Sequence, residues 1–309
     1  MDQFFVIFQQ LLVFAFFAFV GAQCVKLKIL NEPALNSMSK FIINVTMPAM
    51  LICNLLSGPS LADLMGSLPI LGVYLGGFVF LYLFNCVTVR FLHIEAQKVN
   101  IYKALSTFAN AGFIGIPLII AIFGKEGGVY MSLTTIVDQL LLWTLGIKLT
   151  SNASKLDLAY LRNFVSPALI SIVLSLIGVV VGFTLPKPVY MALSPIGSMT
   201  PVLSMIYLGG LFCVSDVKKY LKSLDIYMLV FFKMLLFPAV LWTILKFLPV
   251  SGNIAQTVVL FLALPSMTSI AMFAKKYDNQ PEYAVAAVLM STALSIITVP
   301  LVSVFIACF

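Results

Sequence analysis

The chain has 309 residues, 61% of them hydrophobic and 9% charged, with 18 Lys and Arg against 11 Asp and Glu for a net charge of +7. A soluble globular chain carries about 25% charged residues, so a water-soluble protein is excluded, and ten apolar spans of about 20 residues would leave only short connections. A lone His93, five scattered cysteines without a CxxC pair, and no GxSxG, HExxH or GxxxxGK[ST] motif argue against an enzyme, a metal centre or a resident cofactor.

The apolar runs fall at about 4–25, 36–56, 68–92, 102–123, 128–149, 166–185, 190–213, 225–247, 254–274 and 282–308. Span one follows Asp2 and precedes Lys26 and Lys28, the reverse of a leader's charge order, so it reads as a span that stays. Span two carries Asn44 and Asn54 around Pro48; both asparagines are candidates to line a solute path or to bond a neighbouring helix. Gly72-x-x-x-Gly76 in span three and Gly178-x-x-x-Gly182 in span six read as close-packing surfaces, and His93 and Glu95 as solvated loop groups. Cys24, Cys53, Cys86, Cys213 and Cys308 read as small core residues.

Span four contains Asn110-Ala-Gly-Phe-Ile-Gly-Ile-Pro117, in which Asn110, Gly112, Gly115 and Pro117 cannot sustain a regular helix. Span nine has a counterpart in Pro265-Ser-Met-Thr-Ser269, where Ser266, Thr268 and Ser269 follow the proline and can bond loosened backbone. Broken backbone at membrane depth survives only where it is buried in protein or lines a cavity. The two breaks are therefore expected to meet near the midplane, with Gly115, Pro117 and Pro265 as hinges and Asn110, Gly112, Ser266, Thr268 and Ser269 around a polar solute.

Span five places Asp138 and Gln139 about ten residues into the membrane, where an acid is kept paired, hydrated or protonated. Two readings stand side by side, a proton- or cation-coupling carboxylate and a structural acid. Lys233 in span eight lies near enough to the interface for its stem to snorkel, the reading preferred over pairing with a substrate anion or Asp138.

Counted with the span ends beside them, connections one, three, five and seven each carry three basic residues, and connection nine adds Lys275 and Lys276, whereas the others hold only Lys125, Lys187 and Lys246. This asymmetry predicts a multi-pass protein of the cell membrane with both termini outside and no nucleic-acid partner. Five spans in 1–150 and five in 151–309 then run in opposite senses, an inverted repeat. One offset of 153 residues relates Pro48 to Pro201, Gly112 to Pro265, and Asp138-Gln139 to Ser291-Thr292.

Asn110-Ala-Gly-Phe-Ile-Gly-Ile-Pro117 resembles the Asn-Thr-Gly-Phe-x-Gly-x-Pro segment of the auxin efflux carrier family of membrane transporters. Asn44-Val-Thr-Met-Pro-Ala49 is similar to that family's span-two Leu-Pro-Ala segment, Pro265-Ser266 with Ala274-Lys-Lys-Tyr277 to its span-nine pattern, and Ser291-Thr292 to its span-ten Ser-Thr. The resemblance extends over essentially the whole chain. Ala111 replaces the usual threonine, and the long cytoplasmic insert of many plant members is missing.

The resemblance implies an all-α membrane protein of ten helices in two inverted five-helix repeats, with helices four and nine broken and crossing. Spans one, two, six and seven would be a scaffold, and spans three to five and eight to ten a mobile transport unit. It implies a small organic anion as solute, with Asn110 and the Pro265 region at the crossover and Asp138 and Gln139 on the helix beside it. The fold is also similar to bile-acid/sodium symporters, so H+ and Na+ both stand as coupling ions. Rival readings are a sodium- or proton-coupled cation antiporter and a non-transporting receptor, and the sequence leaves monomer and homodimer equally open.

Overall fold

The computed structural model describes residues 2–57, 60–151, 167–215, 218–220 and 222–308. They form helices α1 (Asp2–Lys26), α2 (Glu32–Leu56), α3 (Leu61–Ser67), α4 (Pro69–Phe91), α5 (Val99–Thr107), α6 (111–123) and α7 (Glu126–Thr150). After residues 152–166 come α8 (Pro167–Val180), α9 (Lys187–Val214), α10 (Leu224–Lys246), α11 (Gly252–Leu262), α12 (Thr268–Lys276) and α13 (Pro281–Cys308). The expected junction of the two repeats, with Lys155 and Arg162, lies outside the described residues. Among the described residues, seven helices (α1, α2, α4, α7, α9, α10 and α13) are long and apolar enough to cross a membrane.

Proline shapes three of these helices in the same way. Pro48, Pro117 and Pro238 each stand second in a regular stretch, immediately after a widened π-turn at Ile42–Thr46, Ala111–Gly115 and Phe232–Leu236. Proline lacks an N–H and its ring presses on the carbonyl four residues back, so a wider preceding turn relieves the clash and keeps the chain helical. The joint between α6 and α7 has a different cause. Gly124 adopts φ 59° and ψ −134°, a conformation closed to L side chains, and turns the chain there.

Two groups of helices pack within themselves. In one, α1 lies along α9, α8 lies along α2, and α2 meets α9. In the other, α4 packs on α5 and α11, α10 on α11 and α13, and α12 on α13. The groups touch where α1 meets α13 and where α9 meets the turn at 111–115. Burial is deepest in the second group, where residues 258–264 and 268–274 are almost wholly enclosed.

Several packing expectations need correction. Nothing lies within 4 Å of where a side chain would begin at Gly72 or Gly76; it is Gly77 that packs, against Leu262, Leu241 and Val258. Gly178 does pack, on Leu56, but Gly182 ends its helix at φ 72° in open space. Of the cysteines only Cys53 is buried, because the others lie on outer helix faces or near an end.

Candidate functional site

Helix α5 has 9 residues and α12 has 9, so each is only about 14 Å long and crosses less than half of a bilayer core. Each stops at a short extended stretch: Phe108 has φ −80° and ψ 127°, and Met267 has φ −70° and ψ 128°. The stretches lie against each other as an isolated antiparallel bridge, Ala109 opposite Ser266. The Asn110 N–H donates to the Pro265 carbonyl at 2.9 Å, and the Met267 N–H donates to the Phe108 carbonyl at 3.1 Å. An unpaired backbone group in hydrocarbon costs several kcal/mol, so each break supplies the partners that the other lacks.

The side chains named from the sequence gather at this crossing. Asn110 is fully buried and its Nδ2 donates to Thr268 Oγ1 at 3.1 Å. Ser291 Oγ accepts the Ser266 N–H at 3.1 Å and donates to the Val288 carbonyl at 3.0 Å, tying α13 to the break. Asn110 Oδ1 and Ser266 Oγ are buried with no partner among the described residues. Ser269 is buried in the first turn of α12. Gly112 faces Met47 of α2, and a Cβ on Gly115 would come within 2.6 Å of Leu264 Cδ1. The crossing is therefore as tight as it is because residue 115 has no side chain. Pro265 supplies the carbonyl that Asn110 uses, and Pro117 sits just beyond the widened turn.

Asp138 and Gln139 are buried on α7. The Tyr74 hydroxyl of α4 donates to Asp138 Oδ1 at 2.8 Å, while Asp138 Oδ2 and Gln139 Oε1 have no partner among the described residues. The Tyr74 ring meets Phe261 edge-on at 4.8 Å, and Phe78 meets Phe108 at 5.4 Å, so rings of α4 touch the residues entering both breaks.

Lys233 does not snorkel. It is 0% exposed, and its Nζ donates to the Phe108 carbonyl at 2.7 Å and the Leu105 carbonyl at 3.1 Å, within electrostatic reach of Asp138. The π-turn that carries it faces α13 and the core, so its stem runs inward. Asn44 is likewise away from the crossing: it is exposed, and its Nδ2 donates to the Lys40 carbonyl of its own helix at 2.7 Å.

Asn54 is half-buried and lines a cavity of about 250 Å³ with Ile116, Gly124, Ser132, Thr135 and Tyr190. A second cavity, of about 350 Å³ and almost wholly apolar, lies between α1, α9 and α13 and is bordered by Ile114 and Thr292. One short segment, 114–116, thus borders both. Sequence reading missed Ser132, Thr135 and Tyr74. The first two are hydroxyls on a helix face, which carry no pattern of their own, but Tyr74 and Tyr227 stand 153 residues apart, the repeat offset, and that signal was there to be used.

Comparison with known proteins adds two findings. The family model described as membrane transport protein matches residues 6–303. An uncharacterized transporter of Methanocaldococcus jannaschii is 24% identical over 217 residues, covering 67% of this chain and 68% of that protein.

Proposed function

Because the chain belongs to the membrane transport protein family, that of the auxin efflux carriers, we propose that it is a secondary transporter for a small organic anion working by elevator-type alternating access. Counting α5 with α6 and α11 with α12 as single broken crossings, and α8 as a short one, gives ten spans in two inverted repeats. The group α1, α2, α8 and α9 is then the scaffold and the remainder the moving unit. The observation that carries this reading is the paired crossing of Phe108–Asn110 with Pro265–Met267.

The chemistry follows from the ends that meet there. Helices α6 and α12 both begin at the crossing, and the first N–H groups of a helix have no intrahelical partner and lie at the positive end of its dipole. A carboxylate is held by those N–H groups and by the hydroxyls of Ser266, Thr268 and Ser269, while Asn110 Oδ1 accepts a hydrogen from the solute or from water. The two cavities bordered by Ile114 and Ile116 give the solute a way in on one side and out on the other. Asp138, bonded by Tyr74 on one oxygen, is the group that couples movement to a proton, or else the membrane potential drives the anion.

A cation antiporter is the second reading, favoured by three buried oxygens without a donor among the described residues: Asn110 Oδ1, Asp138 Oδ2 and Gln139 Oε1. Flux of labelled carboxylates in proteoliposomes, with and without pH and sodium gradients, separates the two. Carboxylate uptake that is lost in a folded Asn110→Ala variant supports the proposal. Cation exchange without carboxylate flux supports the second reading, and wild-type flux from Asn110→Ala removes that residue from the site. If Asp138→Asn leaves flux and its pH dependence unchanged, the coupling role is gone.

A further inference from the structure

The Lys233 side chain is wholly buried, and among the described residues its Nζ bonds to backbone rather than to a carboxylate. Both acceptors, the carbonyls of Leu105 and Phe108, lie at the C-terminal end of α5. The last carbonyls of a helix lack intrahelical donors and sit at the negative end of its dipole. The Phe108 oxygen also accepts the Met267 N–H. One atom therefore carries both one of the two backbone bonds between the breaks and a bond to the lysine, and its two lone pairs are used.

In carriers with discontinuous helices, unwound carbonyls and half-helix C-termini are where an alkali cation binds. Here that place is filled by an ammonium group attached to the chain. We propose that Lys233 is the resident cation of the crossing: it supplies the positive charge that holds α5 against the opposite break, so the crossing assembles without sodium or potassium. The position 153 residues earlier is Phe80, so the repeat offers no second lysine at the matching place. Cutting the stem back should leave a site that a free small monovalent cation can enter. The proposal rests on the transporter reading only for its consequence, that solute flux needs no sodium.

Thermal unfolding of the full chain in detergent tests it without any solute, so failure to find a transported anion leaves the result intact. Wild-type protein is expected to melt at the same temperature in sodium, potassium and N-methylglucamine chloride. Lys233→Ala in N-methylglucamine is expected to melt at least about 5 °C lower, because carbonyls and Asp138 lose their cation. Ammonium or methylammonium should return more than half of that loss with saturation. Lys233→Met, whose stem fills the same space without charge, should melt low and stay low in both. A sodium-specific stabilisation of the wild type overturns the proposal and needs no variant, so the test stands even if Lys233→Ala does not fold. Wild-type melting of Lys233→Ala in N-methylglucamine, or no recovery with any small cation, also overturns it.

Discussion

Replacing Gly115 by alanine puts a methyl group against Leu264 of the opposite break. Its carbon would lie 2.6 Å from Leu264 Cδ1, with Met131 Cε at 3.4 Å and Ala111 Cβ at 3.7 Å. Carbon atoms settle at about 3.5–4.0 Å, so Leu264 must retreat by about 1 Å, while the other two contacts need little change. Leu264 is 0% exposed and has no solvent to retreat into. Overpacking of this kind in an enclosed core costs about 1–3 kcal/mol. The assay is the apparent melting temperature in detergent, compared at one scan rate because membrane proteins unfold irreversibly. Gly115→Ala should melt lower. Leu264→Ala should also melt lower from the cavity it leaves, yet the double variant should be more stable than the sum by about 1–2 kcal/mol, because the new methyl fills part of that cavity. Wild-type melting of Gly115→Ala, or strictly additive effects, would refute the contact between the breaks.

Tyr74→Phe keeps the ring against Phe261 but removes the hydrogen bond to Asp138, leaving a buried carboxyl with no donor from α4. The expected loss is about 1–3 kcal/mol, measured by the same melting assay, and it should shrink in an Asp138→Asn background. Gly124→Ala meets no neighbouring atom within 4 Å, so its whole effect is conformational, about 1–3 kcal/mol for a left-handed backbone. A melting temperature equal to wild type would show that the α6–α7 joint is not held in that conformation. At the ends of α2 and α12, Glu32 and Lys275 pair at 2.8 Å and tie the two helix groups together. Lys275→Gln removes a pair worth about 0.2–1 kcal/mol and should speed maleimide labelling of the buried Cys53, beside the smaller cavity, by a factor of about 1.4–5 at low salt. Unchanged labelling, in a chain whose other cysteines are replaced, would rule out a latch.

The breaks were legible in place more than in extent. The chain unwinds at 108–110 and 263–267, but of the residues expected to break span four only Asn110 lies in the unwound stretch: Gly112 and Gly115 sit in the π-turn that opens α6 and Pro117 in the regular helix after it, while Thr268 and Ser269 begin α12. That the two stretches bond each other is a tertiary fact, and only the shared offset hinted at it. Lys233 was misread for a related reason. Its distance from the interface is set by sequence position, but the direction of its stem is set by carbonyls 125 and 128 residues away. Asn44 was misread because a polar side chain on a helix can bond its own backbone four residues back, a choice that composition does not register. The glycine pair in α4 failed by a single position: Gly77, not Gly72 or Gly76, lies on the face that meets α10 and α11, and a one-residue error on a helix turns the face by about 100°.

Transport by the proposed mechanism requires a solute held at the crossing itself. The measurement that reaches this most directly is a thermal-shift titration of a panel of small carboxylates against wild-type protein and Asn110→Ala. At least one carboxylate should stabilise the wild type with saturation, and the variant, folded and in the same detergent, should bind it at least about tenfold more weakly, the loss of one buried hydrogen-bonding group. Equal affinity in the two proteins would place the solute elsewhere and contradict the account.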